Sequence, residues 1–215
     1  MGFWGFVADR RAQLLADAFQ HASAVLQCVA AATVIGVLVG AATYRRAWAG
    51  NLATLTASTV LTVPSLALIG LLVPVVGLGV PPTVIALTLY GLLPIVRNTV
   101  VGLRAVDADL VDAATGAGMS PGARLLRVEL PLAWPAILAG VRVSTQLLMG
   151  IAAIAAYVSG PGLGNEIFRG LASLGSANAL HLVLSGTLGI VVLALLFDAG
   201  YVLVGRLTVS RGIRV

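Results

Sequence analysis

The sequence predicts an all-α integral membrane protein with about five transmembrane helices, and three observations carry that prediction. Hydrophobic residues make up 59% of the 215 residues against 10% charged, with a mean hydropathy of +1.03. That leaves too little polar surface to coat a soluble domain. Five stretches reach the roughly 20 mostly apolar residues that a helix needs to cross a bilayer. Between the third and fourth of them sits a single polar, strongly punctuated segment.

The elements follow in chain order. Residues 1–21, which begin MGFWGFVADRRAQLLADAF, interleave apolar and charged side chains and read as an interfacial amphipathic segment rather than a cleavable signal. Span one covers Ala22–Thr43 and contains the single cysteine, Cys28, whose lone thiol closes no intramolecular disulfide and behaves as a small core residue. Span two, Leu52–Val76, contains Pro64, and span three, Pro82–Val101, contains Pro94. Each proline frees a backbone carbonyl and can kink its helix, so neighbouring helices must cover those sites. Span four covers Trp134–Tyr157 and span five Leu180–Val204. The membrane domain is thus residues 22–206, followed by a tail at 207–215.

Charge sets the direction of the spans. Arg45 and Arg46 follow span one, Arg104, Arg124 and Arg127 lie between spans three and four, and Arg206, Arg211 and Arg214 follow span five. By the positive-inside rule these regions are cytoplasmic, which puts the polar segment and the C-terminus inside the cell membrane and the N-terminus outside. The net charge of +5 is strung between apolar stretches rather than gathered on one face, so topology explains it better than nucleic acid.

Several chemistries are excluded. All thirteen basic residues are arginine, and a phosphate-binding GxxxxGK[ST] loop requires lysine, so the chain has no standard ATPase site of that type. His21 and His181 are far apart and lack zinc-ligand spacing. With no paired carboxylates and no nucleophile beside a base, nothing points to an enzyme, and no cofactor or metal is expected on this chain.

The polar segment has a definite shape. Asp107 caps a helix starting near Ala108, with Asp109 in its first turn, where the helix dipole favours an acid. Leu110, Ala113, Ala114 and Ala117 form a narrow stripe of small apolar side chains, flanked by Asp112. Gly118 supplies a left-handed helix end. Ser120 and Pro121 then read as cap and first residue of a second helix, expected to run to about Glu129 and to end before Pro131 and Pro135. Residues 107–131 therefore form a helix, turn, helix elbow. It is either a docking surface or a loop that satisfies itself at the membrane.

The spacing from Asp112 to Pro131, DAATGAGMSPGARLLRVELP, resembles the cytoplasmic coupling loop of permease subunits of binding-protein-dependent ABC importers. That family's pattern is EAAxxxG, nine residues, then IxLP. Asp112, Ala113, Ala114 and Gly118 fill the first part, and Val128, Leu130 and Pro131 the second, with Asp for Glu and Val for Ile. LTVPSLALIGLLVPVVGLGVPPTVIALTLYGLLPIVRNTVVGL, Leu61 to Leu103, and YVSGPGLGNEIFRGL, Tyr157 to Leu171, resemble the osmoprotectant permeases for glycine betaine, carnitine, choline and proline. The resemblance implies the type I importer permease fold. It also implies a second permease subunit, identical or paralogous, an ATPase subunit that carries ATP and Mg and seats the elbow, including Pro121, and an external substrate-binding protein.

Residues for the path are less defined. Arg97 and Asn98 near one end of span three act either as an anchor or as a gate. Arg142 poses the same choice, and Asp198 is an intramembrane acid suited to an arginine partner. Thr54, Thr56, Ser58, Thr59, Thr62 and Ser65, together with Ser144, Thr145 and Gln146, either line an aqueous path or hydrogen-bond between helices. Thr59, Pro64, Ser65, Arg97, Asn98 and Gln146 are the candidates for path or gate. The alternative, a stand-alone secondary transporter or channel, lacks the internal repeat and buried acids it would need.

Overall fold

The computed structural model describes residues 2–209; of the basic tail, Arg211 and Arg214 lie outside the described residues. The chain forms α1 (Phe3–Asp9), α2 (Arg11–Thr43), α3 (Ala47–Thr62), α4 (Ser65–Val76), α5 (Val80–Arg104), α6 (Ala108–Gly116), α7 (Pro121–Arg124), α8 (Leu130–Ala155), α9 (Gly164–Ala172) and α10 (Ala179–Thr208). No strand occurs among the described residues. Four segments are long and apolar enough to cross a membrane: α2, α5, α10 and the stretch Pro121–Val158 that includes α8. The pair α3 and α4 makes a fifth crossing if counted as one.

Helix α5 is the centre of the bundle and packs against α8, α2 and α3. The contacts are close because small residues line them. A Cβ on Gly36 or Gly40 of α2 would lie 2.7 Å from the Ile95 side chain or 2.6 Å from that of Thr99, and one on Gly140 of α8 would lie 2.7 Å from the Pro94 carbonyl oxygen. Buried hydroxyls are satisfied on the spot, Thr99 by the Ile95 carbonyl at 2.7 Å, Ser144 by Gly91 at 3.1 Å and Thr145 by Val141 at 2.9 Å. By contrast, α10 is a peripheral helix with most of its apolar surface uncovered.

Three sequence expectations change. The stretch at residues 1–21 is not one separate segment: α1 ends at Asp9, and α2 begins at Arg11 and continues without a break through the first span. Its 33 residues correspond to about 50 Å, well beyond the hydrocarbon thickness. Span two is two helices rather than one kinked helix, since α3 and α4 meet at 91°. The residue before a proline is pushed out of the α region, and Val63 is extended (φ −75°, ψ 127°) ahead of Pro64. Its released carbonyl accepts the Tyr90 hydroxyl of α5 at 2.5 Å. The second elbow helix does not stop before Pro131. It passes through a π turn, Leu125–Glu129, straight into α8. The Leu130 N–H reaches back five residues to the Leu125 carbonyl, and this widened turn carries the chain past a proline that has no N–H to give.

Candidate functional site

The elbow is built as its residues dictate. The Asp107 side chain accepts the Asp109 N–H at 2.9 Å and starts α6. At the other end the Gly118 N–H bonds the Thr115 carbonyl (2.9 Å) and the Met119 N–H the Ala114 carbonyl (3.2 Å), the paired bonds of a Schellman motif. That motif needs a left-handed residue, and Gly118 has φ +82°. The Ser120 hydroxyl then accepts from the Ala123 N–H at 3.3 Å. Ala114 is buried beneath, while Leu110, Asp112, Ala113, Ala117, Gly118 and Pro121 are exposed. Asp112 takes no hydrogen bond or ion pair among the described residues. The outcome is an exposed surface of small side chains with one unengaged acid. Val128 and Leu130 are half-buried at its base, and Pro131 is exposed.

Beneath the elbow lies Glu129, which the sequence suggested only as a helix end. Its carboxylate is 2% exposed. It accepts Arg124 Nε at 2.8 Å, an Arg45 terminal nitrogen at 3.3 Å and the Tyr44 hydroxyl. Arg124 also reaches the Thr115 hydroxyl of α6 at 2.7 Å, and Arg104 Nε of α5 holds the Tyr44 carbonyl at 2.8 Å. One acid therefore gathers the end of α2, both elbow helices and the start of α8. Burial, and then the hydrogen bond to the Glu129 carboxylate, push the Tyr44 phenol above its ordinary pKa, so it remains a proton donor.

A matching site closes the opposite end of the bundle. Glu166 on α9 is fully buried. Arg10 grips it bidentately at 2.7 and 3.0 Å, Gln13 donates at 3.1 Å and Arg169 at 3.0 Å. Such a site has no local signal in the sequence, because Arg10 and Glu166 are 156 positions apart.

The six path candidates are not brought together as one site. Thr59, Pro64 and Ser65 lie on or beside the α3–α4 break, with Thr59 and Pro64 exposed. The Thr59 hydroxyl bonds the Leu55 carbonyl at 3.0 Å, and Thr54, Thr56, Ser58 and Thr62 likewise bond carbonyls of their own helix. Asn98 donates to the Pro94 carbonyl at 2.7 Å and packs against Gly140. Arg97, one position earlier, is exposed. Gln146 donates to the Ala194 carbonyl at 3.1 Å. With Arg142, Tyr201 and Arg206 it lines an open groove of about 780 Å³ between α8 and α10. Within that face Arg142 pairs bidentately with Asp198 at 2.5 and 2.7 Å.

A proline-broken helical membrane bundle with one exposed, capped elbow between its spans has the architecture of a permease subunit. Residues 32–209 match the family described as binding-protein-dependent transport system inner membrane component, and the chain belongs to that family. It is 34% identical to the choline transport system permease protein OpuBB of Bacillus subtilis over 90% of this chain and 87% of that protein. It is 36% identical to the osmoprotectant import permease protein OsmW of Salmonella typhimurium over 90% of each chain. Its fold is that of a chain in the inward-facing MetNI methionine ABC transporter, with a TM-score of 0.80, 19% identity and coverage of 92% of this chain and 96% of that one. It is a multi-pass membrane transport protein.

Proposed function

We propose that the chain is the transmembrane subunit of an ATP-driven importer that moves a compatible solute such as glycine betaine, choline, carnitine or proline across the cytoplasmic membrane by alternating access. The observation that carries this reading is the elbow: the capped and Schellman-terminated α6, with exposed Asp112, Ala113, Ala117 and Gly118, turns into α7 at Pro121, and α7 runs through a π turn into the membrane-spanning α8. A helix continuous with its dock moves when the dock moves. Asp112, Ala113, Ala114, Gly118, Pro121, Val128, Leu130 and Pro131 form the seat for a cytoplasmic ATPase subunit, which supplies the ATP and Mg chemistry. A second permease subunit, identical or paralogous, completes the path, and an external binding protein delivers cargo. The elbow and the C-terminus face the cytoplasm, and the N-terminus faces out.

Within the path we assign the α3–α4 break at Pro64 and Ser65, with Thr59 just before it, and the exposed Arg97 to the gate, and Gln146 to the separate groove between α8 and α10. Asn98, the next residue, is assigned to the same gate, held by its bond to the Pro94 carbonyl. The likeness to a choline transport system permease and an osmoprotectant import permease supports the cargo class. The test is uptake by liposomes holding this chain with its ATPase and binding protein, competed with betaine, choline, carnitine and proline. Competition by at least one of them is expected, and indifference to all four would refute the cargo class.

A further inference from the structure

The chain has only two glutamates, Glu129 and Glu166, and both are buried, at 2% and 0% exposure. They sit at opposite ends of α8, Glu129 in the π turn that enters it and Glu166 on α9 beyond it. Each is held in the same way. One arginine comes from its own neighbourhood, Arg124 or Arg169, and a second arginine with a neutral donor comes from an end of α2: Arg45 with Tyr44 after it, Arg10 with Gln13 at its start. Helix α2, about 50 Å long at 1.5 Å per residue, is thus fastened at both ends to the two ends of α8.

Between those ends the buried His21 of α2 places its Nε2 3.2 Å from the Met149 carbonyl of α8, a single neutral contact weaker than the charge-assisted bonds at the ends. Besides His21, helix α2 buries Val25, Cys28, Val29, Ala32, Gly36 and Gly40, a small apolar seam whose glycines face Ile95 and Thr99 of α5 and along which packed helices can shear. The Arg10–Glu166 pair is bidentate, and at Glu129 single bonds from Arg124, Arg45 and Tyr44 converge on one carboxylate; such charge-assisted bonds are directional and set register. Buried pairs are costly to desolvate, and a role in fixing register is the best-attested reason for keeping them.

We propose that Glu129 and Glu166 are positioning residues that lock α2 and α8 into one lever, so that displacement of the elbow is delivered to α9 at the far face. This rests on the importer reading above. Glu129 joins the lever to the elbow through Arg124 and Thr115. Glu166 joins it to the loop that follows the span. Loss of either latch leaves the elbow able to dock and the ATPase able to turn over, but its motion no longer arrives.

The test uses the complete assembly of permease, ATPase and binding protein in liposomes and measures solute imported per ATP hydrolysed. Glu166→Gln and Glu129→Gln are the direct variants. Arg10→Gln and Arg45→Gln, whose side chains are 24% and 44% exposed, are the milder pair that decides the matter if the buried variants do not assemble. Each single variant is expected to lower the ratio about fivefold or more, the scale of coupling between linked sites, with ATPase binding retained. Because the latches act in series, Arg10→Gln combined with Arg45→Gln is expected to be no worse than the poorer single variant. Wild-type ratios in Arg10→Gln and Glu166→Gln would overturn the proposal, as would losses that multiply in the double variant, the mark of two independent packing defects. Absence of import by the wild-type assembly overturns the importer reading along with it.

Discussion

Replacement of Gly118 by valine isolates the shape of the elbow from its chemistry. Gly118 has φ +82°, and a Cβ there would meet no atom within 4 Å, so the substitution introduces no clash with a neighbour and its cost is conformational. A β-branched residue held in that region costs about 1–3 kcal/mol. The chain escapes this cost by giving up the bonds from Gly118 to Thr115 and from Met119 to Ala114. At about 2 kcal/mol the shaped elbow becomes about thirtyfold rarer, and the apparent affinity for the ATPase falls by the same factor. The assay is ATPase binding to the purified permease, followed by uptake in liposomes. Asparagine tolerates the left-handed region, so Gly118→Asn is expected to stay within a few-fold of wild type while Gly118→Val loses both binding and uptake. Wild-type binding by Gly118→Val would refute the reasoning, because the turn would then not be what the partner recognises.

Other expectations follow from the same geometry. Tyr44→Phe removes a donor from the buried Glu129 carboxylate and is expected to cost about 1–3 kcal/mol, read as a lower thermal midpoint of the purified permease. The raised Tyr44 pKa means that the folded protein keeps its phenolic proton where the unfolded chain loses it. Stability from this group is therefore full below about pH 10 and falls as pH rises past it; Tyr44→Phe is expected to remove that alkaline decline in pH-dependent unfolding. Pro64→Ala allows Val63 to enter a helix and is expected to straighten the 91° break, abolishing uptake while leaving ATPase binding unchanged; spin-label distances across α3 and α4 would report the change. Arg142→Gln and Asp198→Asn each strand a charge on the α8–α10 face, so the double variant is expected to be more stable than either single variant in thermal unfolding.

What was legible in the sequence was whatever local chemistry decides. Asp107, Gly118, Ser120 and Pro121 mark caps and turns through their own backbone preferences, and the elbow forms where they stand. The arginine distribution and apolar lengths likewise marked the spans. Pro64 announced a break, but not a right angle, because the angle depends on Tyr90 of another helix claiming the Val63 carbonyl. The π turn was missed because Pro131 looked like a stop, whereas a widened turn removes the need for the hydrogen bond that proline lacks. The two glutamate sites were illegible for a different reason. Tyr44 lies 85 positions from Glu129, and Arg10 lies 156 from Glu166, and no periodicity records such pairings. The polar stripe of α3 left path and packing open in the sequence, because hydroxyls that bond carbonyls of their own helix serve either.

The central claim is that this chain is moved by an ATPase docked on its elbow. Its most direct test is accumulation of labelled solute against a gradient in liposomes holding the chain with or without its ATPase, with the binding protein outside and ATP inside. Accumulation is expected only with the ATPase and to vanish in Gly118→Val. Full accumulative uptake by the chain alone would contradict the account.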